Sequence, residues 1–198
     1  MKKSIAFFDL DGTITTKDTL LEFIRYCKGN FLFYWGFLLN SPFLVAYKLR
    51  IISNQAAKEK MLRYYFKEMP VEQFNEHCDR FARNVLPRLI RSAAQAEIDK
   101  LKQNGFTIVI VSASPENWIK DWARNHSLQV IATRLTLANG KITGMIAGKN
   151  CHGEEKVRRI KEEFMLADYA EIYAYGDSKA DLPMLGLAQK KHYKPFTK

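Results

Sequence analysis

The chain has 198 residues, 47% of them hydrophobic and 26% charged, which suits one globular domain, or one domain with an insertion, and a sizeable core. Its net charge of +10 favours anionic partners, among them phosphorylated substrates, anionic lipid surfaces and nucleic acid, without choosing among them. The three cysteines, Cys27, Cys78 and Cys151, have no CxxC spacing; they argue against a disulfide framework or a zinc ribbon and fit a reducing compartment.

Lys2-Lys3 open the chain, but the apolar run after them stops at Asp9, too soon for a secretory signal. Ile5 to Phe8 reads as a strand buried on both faces, as in a parallel sheet. It leads into Asp9-Leu10-Asp11-Gly12-Thr13. Side chains alternate along a strand, so Asp9 and Asp11 are expected to point the same way. A buried ionised carboxylate is costly unless paired or metal-bound, and Gly12 lets the backbone turn closely past whatever the pair holds. Such a strand end suits a hard cation plus a phosphoryl group at the carboxyl edge of a sheet.

A helical pattern starts near Lys17, capped by Asp18 or Thr16. The segment Phe31–Tyr47 carries no charge and is flanked by Lys28, Lys48 and Arg50. It falls short of the about 20 apolar residues a spanning helix needs, and Asn40-Ser41-Pro42 is expected to break it into two short helices or a helical hairpin. We expect these helices to pack as the core of a small helical cap. The alternative is an aromatic face dipping into a membrane interface, with basic residues on the headgroups; Tyr34, Trp35 and Tyr47 are residue types favoured at that depth. Helical spacing continues from Gln55 to Arg91, with Pro70 and Pro87 as punctuation. His77 and Cys78 lack a second pair at metal spacing and read as ordinary core or surface residues.

From Leu89 onward, strands alternate with helices. A helix through Ala93 and Leu101 stops at Asn104-Gly105. Strands are expected at Phe106–Val111, Leu128–Ile131 and Glu171–Tyr175, with a short one near His192. Helices are expected from Asn117 to Asn125, from Gly153 to Phe164 and from Ala180 to Leu187. Asn139-Gly140 marks a hairpin with a type I′ turn. The alternation argues an α/β fold with a parallel sheet and right-handed crossovers. The first strand joins that sheet across a long helical insertion, so we divide the chain into a core of residues 1–15 and 87–198 and a helical cap of residues 16–86.

Three apolar strands then end in polar groups at one sheet edge: Asp9 and Asp11, Ser112, and Asp177. Ser112 has a hydroxyl for a phosphate oxygen, and the Ala113 N–H faces the same site. Asp177 and Asp181 add carboxylates whose mutual repulsion a divalent, oxygen-liking cation such as Mg²⁺ would relieve. Lys156, at the start of the preceding helix, is the candidate for neutralising phosphate charge.

Together Phe7-Phe8-Asp9-Leu10-Asp11-Gly12-Thr13, Val111-Ser112, Lys156 and Gly176-Asp177-Ser178-Lys179-Ala180-Asp181 resemble, in order, the four motifs of the haloacid dehalogenase superfamily. The insertion resembles the C1 cap of its phosphoserine-phosphatase-like branch. The apolar cap segment, Ser112-Ala113-Ser114-Pro115 and Gly153-Glu154-Glu155-Lys156-Val157 look closer still to phosphatidylglycerophosphatase C and its relatives. The resemblance implies a Rossmann-like parallel sheet with an inserted all-helical cap, and a Mg²⁺-dependent phosphatase. It implies Asp9 as nucleophile and Asp11 as general acid and base. It implies Mg²⁺ held by Asp9, the Asp11 carbonyl and Asp177, with phosphate bound by Ser112, Ala113 and Lys156. Asp181 would orient Lys156 or a metal-bound water. Asp11 favours a phosphatase over a dehalogenase, which needs no acid there.

The implied substrate is a phosphorylated small molecule or a lipid phosphate such as phosphatidylglycerophosphate, handled in the cytoplasm or at the inner face of the membrane with peripheral contact through Phe31–Tyr47. Two departures bear on this. Ser112-Ala113-Ser114 stands where phosphoserine phosphatases carry Ser-Gly-Gly, and the cap shows no obvious pocket for an amino acid. Asp18 lies near the position of that branch's substrate-contacting acid, which keeps a soluble, phosphoserine-like metabolite as the alternative; a helix N-cap is its simpler role. A non-catalytic binding protein on the same scaffold is the alternative from another class. Nucleic acid is not expected, because the basic residues form no recognised module.

Overall fold

A computed structural model describes residues 3–49 and 51–197; Lys2 and Arg50 lie outside the described residues. Its strands are β1 (Lys3–Phe8), β2 (Phe106–Pro115), β3 (Gln129–Thr133), β4 (Leu135–Ala138), β5 (Lys141–Ile146), β6 (Tyr169–Gly176) and β7 (Lys190–Tyr193). Its helices are α1 (Thr19–Lys48), α2 (Asn54–Phe66), α3 (Val71–Asn84), α4 (Leu86–Leu89), α5 (Ser92–Gln103), α6 (Lys120–Asn125), α7 (Glu154–Glu163) and α8 (Leu182–Leu185).

Five strands form one sheet in the order β3-β2-β1-β6-β7, and every pairing in it is parallel. β1 is central, pairing Phe8 with Ile110 on one side and with Tyr175 on the other. Its alternation buries both faces. Ile5 and Phe7 pack with Val109, Val111 and Ile160 of α7; Ala6 and Phe8 pack with Ile108, Ile110 and Ile98 of α5. The fold is the α/β, Rossmann-like sheet with flanking helices that the strand–helix alternation predicts.

β4 and β5 form a separate antiparallel pair. Asn139 (φ 50°) and Gly140 (φ 69°) are both left-handed, as a type I′ turn requires. This hairpin supports α2: the Ile146 N–H donates to Glu59 at 3.1 Å, and a Cβ on Gly144 would lie 2.6 Å from the Arg63 backbone, so only glycine admits so close an approach.

The apolar segment differs from expectation in two ways. The chain bends at Gly29 (φ 74°, ψ 167°), not at Asn40-Ser41-Pro42, and α1 runs on through Pro42 as a second limb, residues 30–48. Proline removes the donor that would serve the Leu38 carbonyl; the Ser41 hydroxyl donates to that carbonyl instead, at 2.7 Å, and Asn40 donates to the Gly36 carbonyl at 2.8 Å.

The limb is also not the packed core of the insertion. Only Phe33, Gly36 and Asn40 of it are buried, whereas Phe31 is 79% exposed, Leu38 63% and Trp35 52%. The packed aromatic core sits instead on the first limb, residues 19–28. There Phe23 stacks on Trp118 at 4.5 Å and meets Phe66, Phe74 and Phe81 within 5.5 Å. Among the described residues, no helix is long and apolar enough to cross a membrane.

Candidate active site

The strand geometry of β1 ends at Phe8, and the chain then passes through a tight turn. Asp9 keeps an extended backbone, and its N–H continues the sheet by donating to the Tyr175 carbonyl at 2.9 Å. Gly12 adopts φ 86°, and a Cβ there would lie 2.4 Å from an Asp177 carboxylate oxygen. The glycine therefore lets the first strand end press against the β6 strand end. Thr13 bridges the two, its hydroxyl 3.1 Å from Asp9 and 3.3 Å from Asp177.

Lys156, on the first turn of α7, is 1% exposed. Its Nζ donates to Asp9 Oδ1 and to Asp181 Oδ1, both at 2.6 Å. The other Asp181 oxygen accepts from the Ser178 hydroxyl at 2.7 Å and from the Ser178 N–H at 3.0 Å. Burial alone would lower Lys156, but Asp9 and Asp181 hold it above the ordinary lysine range. Burial pushes Asp181 up, yet Lys156 and Ser178 outweigh it and keep Asp181 below the usual carboxylate range. Asp177 is raised, by burial and then by Asp181.

Asp9 is pushed up to about 7, chiefly by burial, against the pull of Lys156. Carboxylate oxygens of Asp9, Asp177 and Asp181 lie within 4.8 Å of one another, facing a single ammonium. Too little positive charge for the buried carboxylates, plus an all-oxygen donor set, fits a hard divalent cation. Among the described residues no other His, Cys, Asp or Glu cluster has this form, the His77–Cys78 pair included.

Asp11 lines the same cavity as Asp9, as its spacing predicts. Its carboxylate accepts from the Thr19 N–H at 2.6 Å and from the Ser114 hydroxyl at 2.6 Å. Thr19 and Trp118 extend the network, with the Thr19 hydroxyl donating to Ser114 at 3.0 Å and Trp118 Nε1 to Thr19 at 3.2 Å. Asp11 is outside the carboxylate cluster of Asp9, Asp177 and Asp181. Ser112 is fully buried. Its hydroxyl accepts from the Ser114 N–H at 3.0 Å and lies 3.4 Å from Asp11; Ala113 and Ser114, not Ser112, line the cavity.

That cavity, about 230 Å³, lies between the sheet edge and the insertion, with Asp9, Asp11, Lys156 and Asp177 on one side and Asp18 and Lys58 on the other. Asp18 has both roles open to it: it caps α1, accepting from the Leu21 N–H at 3.0 Å, and it lines the cavity. Burial and the charge of Asp11 push it up to about 6. Lys58, on α2, donates to the Ala113 carbonyl at 2.7 Å and to Asn150 at 3.3 Å. Burial lowers it, against Asp11 and Asp18.

Sequence reasoning missed Lys58, Thr19 and the contact of Ser114. Ser114 lies two residues beyond Ser112, a spacing that strand alternation would have flagged. Lys58 carried no signal, being one lysine on one amphipathic helix.

The haloacid dehalogenase-like hydrolase family model matches residues 6–186. The chain is 34% identical to protein CicA of Caulobacter vibrioides, over 96% of this chain and 85% of that protein. It is 30% identical to a probable phosphatase of Mycobacterium tuberculosis, over 92% of this chain and 66% of that one. A structure of phosphoserine phosphatase as a phospho-aspartyl intermediate analogue superposes with a TM-score of 0.68 at 19% identity, covering 95% of this chain and 84% of that one; at that identity the likeness is one of fold. The chain belongs to the haloacid dehalogenase-like hydrolase family. Within that family it is an enzyme of the phosphatase kind.

Proposed function

We propose that the protein is a Mg²⁺-dependent phosphomonoesterase working through an aspartyl-phosphate on Asp9. The observation that carries this is Lys156 held 2.6 Å from both Asp9 and Asp181, at a cavity that also holds Asp11 and Asp177. In the first step an Asp9 oxygen attacks phosphorus, the bond to the leaving oxygen breaks, and Asp11 gives that oxygen its proton. In the second, Asp11 takes a proton from water, the water oxygen attacks the acyl-phosphate phosphorus, and Asp9 is restored as inorganic phosphate leaves. Lys156 and the Ala113 N–H stabilise charge on the transferring group, with Ser112 behind them accepting from the Ser114 N–H. Asp181 fixes Lys156. Asp9, Asp177 and the Asp11 carbonyl would hold Mg²⁺, which when bound offsets negative charge on the phosphoryl group.

In this reading residues 1–15 and 87–198 carry the chemistry, and residues 16–86, the cap, select the substrate. A lipid phosphate such as phosphatidylglycerophosphate is favoured by the exposed apolar run from Phe31 to Tyr47 and by the net charge of +10. The enzyme is then placed in the cytoplasm, at the inner face of the membrane, consistent with its free cysteines. A second reading has its own support. Asp18 and Lys58, of opposite charge, line one side of the cavity and suit the amino and carboxylate groups of a soluble phosphoamino acid. A panel of lipid phosphates and metabolites, with phosphoserine included, separates the two.

The test of the chemistry is p-nitrophenyl phosphate hydrolysis with Mg²⁺. Wild type should turn over and Asp9→Asn should be slower by about 10³-fold or more. Equal, negligible rates in both would sink the enzyme reading and leave a binding protein on this scaffold.

A further inference from the structure

We infer that the outward face of the second limb of α1 is a docking surface for an anionic lipid bilayer, with the helix lying in the membrane plane and its Tyr47 end beside the catalytic cavity. Delivery of substrate from the bilayer rests on the phosphatase reading; the docking itself does not.

The first observation is a continuous stripe. Phe31, Trp35, Leu38, Pro42, Val45 and Leu49 follow one another at spacings of three and four and are all exposed. Such spacing puts them on one side of a helix, over a length of about 27 Å at 1.5 Å per residue. Single exposed apolar residues are ordinary, but a contiguous patch of this extent marks an interaction surface. The opposite side, Phe33, Gly36 and Asn40, is committed to α2: the Tyr65 hydroxyl donates to the Phe33 carbonyl at 2.7 Å, and a Cβ on Gly36 would lie 2.3 Å from that hydroxyl.

The second observation, charge, selects the occupant. No Asp or Glu occurs between Glu22 and Glu59, while Arg25, Lys28, Lys48, Arg50 and Lys58 all fall in that stretch. Basic groups rim the apolar face: Arg25 donates to the hydroxyl of the exposed Tyr34 at 3.2 Å, and the Lys60 ammonium lies 4.2 Å from the Phe43 ring. A second copy of the chain would set two such basic rims against each other, whereas anionic headgroups complement them. Trp35, Tyr34 and Tyr47 are amphipathic rings suited to the headgroup level. The limb cannot span a bilayer, so it lies in the interface, where an apolar face sinks about 5–10 Å.

Position links the face to the site. Asn54 donates to the Tyr47 hydroxyl at 3.0 Å and itself lines the cavity. The docked helix therefore brings the cavity to the surface that carries lipid headgroups.

The test is flotation of the full chain with vesicles of phosphatidylcholine plus phosphatidylglycerol, or of phosphatidylcholine alone, for wild type and the double variant Trp35→Glu, Leu38→Glu. Wild type should float far more strongly with the anionic vesicles than with the neutral ones, and the double variant should bind the anionic vesicles at least about tenfold more weakly. The variant should keep wild-type turnover of soluble p-nitrophenyl phosphate, which reports folding, and lose turnover of a vesicle-borne phosphatidic acid. Wild type that stays unbound, floats equally on neutral vesicles, or floats no better than the double variant overturns the docking surface. So does a vesicle-free dimer of wild type that the double variant abolishes, which assigns the face to a second copy. Vesicle-borne turnover unchanged in the variant overturns delivery. No hydrolysis of either substrate by wild type defeats the phosphatase reading, and flotation still decides the surface.

Discussion

At the scale of single residues, the site depends on how closely two strand ends approach, and Gly12 sets that distance. Its φ of 86° and the 2.4 Å a Cβ would leave to Asp177 make Gly12→Ala doubly unfavourable: a left-handed backbone with a side chain, and a carboxylate forced aside. We expect the variant to lose about 1–3 kcal/mol of stability in urea denaturation, and to lose activity even where it is fully folded, because Asp177 can no longer sit beside Asp9. A variant with wild-type stability and turnover would show that the approach is not needed. The residues legible in the sequence are those whose neighbours along the chain announce them, as Asp9, Asp11 and Gly12 do. Lys58 and Thr19 become site residues only through the path of the insertion, which no local pattern records. Asp9 and Asp11 reach one cavity together, as their spacing implies, although the strand itself ends at Phe8.

At the scale of elements, α7 must stay docked for Lys156 to reach Asp9, and Glu155 is what anchors its first turn. Its carboxylate accepts from Arg158 at 2.6 and 2.8 Å and from Arg159 at 2.9 Å, while Arg159 also donates to the Ala132 and Lys149 carbonyls. Hydrogen bonds from Arg158, then Arg159, hold Glu155 down to about 2, from an ordinary 4.5. A folded-state value below the unfolded one stabilises the protein above the unfolded value, and that contribution fades as pH falls from 4.5 toward 2. Glu155→Gln should therefore cost about 1–3 kcal/mol at neutral pH and nothing near pH 2, read as converging urea midpoints. A constant gap at all pH would mean that packing, not charge, holds the turn. Elements themselves were well marked where local chemistry and tertiary structure agree, as at Asn139-Gly140. The helix break expected at Pro42 is the contrary case. Ser41 re-satisfies the one carbonyl that Pro42 frees, that of Leu38, so a proline that reads as a stop is absorbed, and the bend falls at Gly29.

At the scale of the molecule, the cation site joins residues far apart in sequence, Asp9 at the end of β1 and Asp177 at the end of β6, and the unfolded chain has no such arrangement. A cation that binds only the folded state must stabilise it, by about 2.7 kcal/mol at a hundred times its dissociation constant. Thermal unfolding with Mg²⁺ should thus shift upward relative to EDTA, and Asp177→Asn should remove most of the shift. An equal shift in the variant would place the cation elsewhere.

The same scale holds the contrast between a net positive chain and an uncovered apolar helix, and the two terms of membrane attraction can be separated by salt. Apolar insertion is little affected by ionic strength, while headgroup attraction, about 1 kcal/mol for each basic residue near the surface, weakens as the Debye length shrinks from about 10 Å at 0.1 M to about 3 Å at 1 M. Arg25, Lys28 and Lys48 flank the stripe, so vesicle affinity should fall by one to two orders of magnitude, roughly, over that range. It should level off at a residue of apolar binding that Trp35→Glu removes. Replacing Lys28 and Lys48 with glutamine should flatten the salt dependence and leave the plateau in place. Affinity independent of salt would mean that the basic rim takes no part, and binding that disappears entirely in salt would mean that the exposed rings never enter the interface.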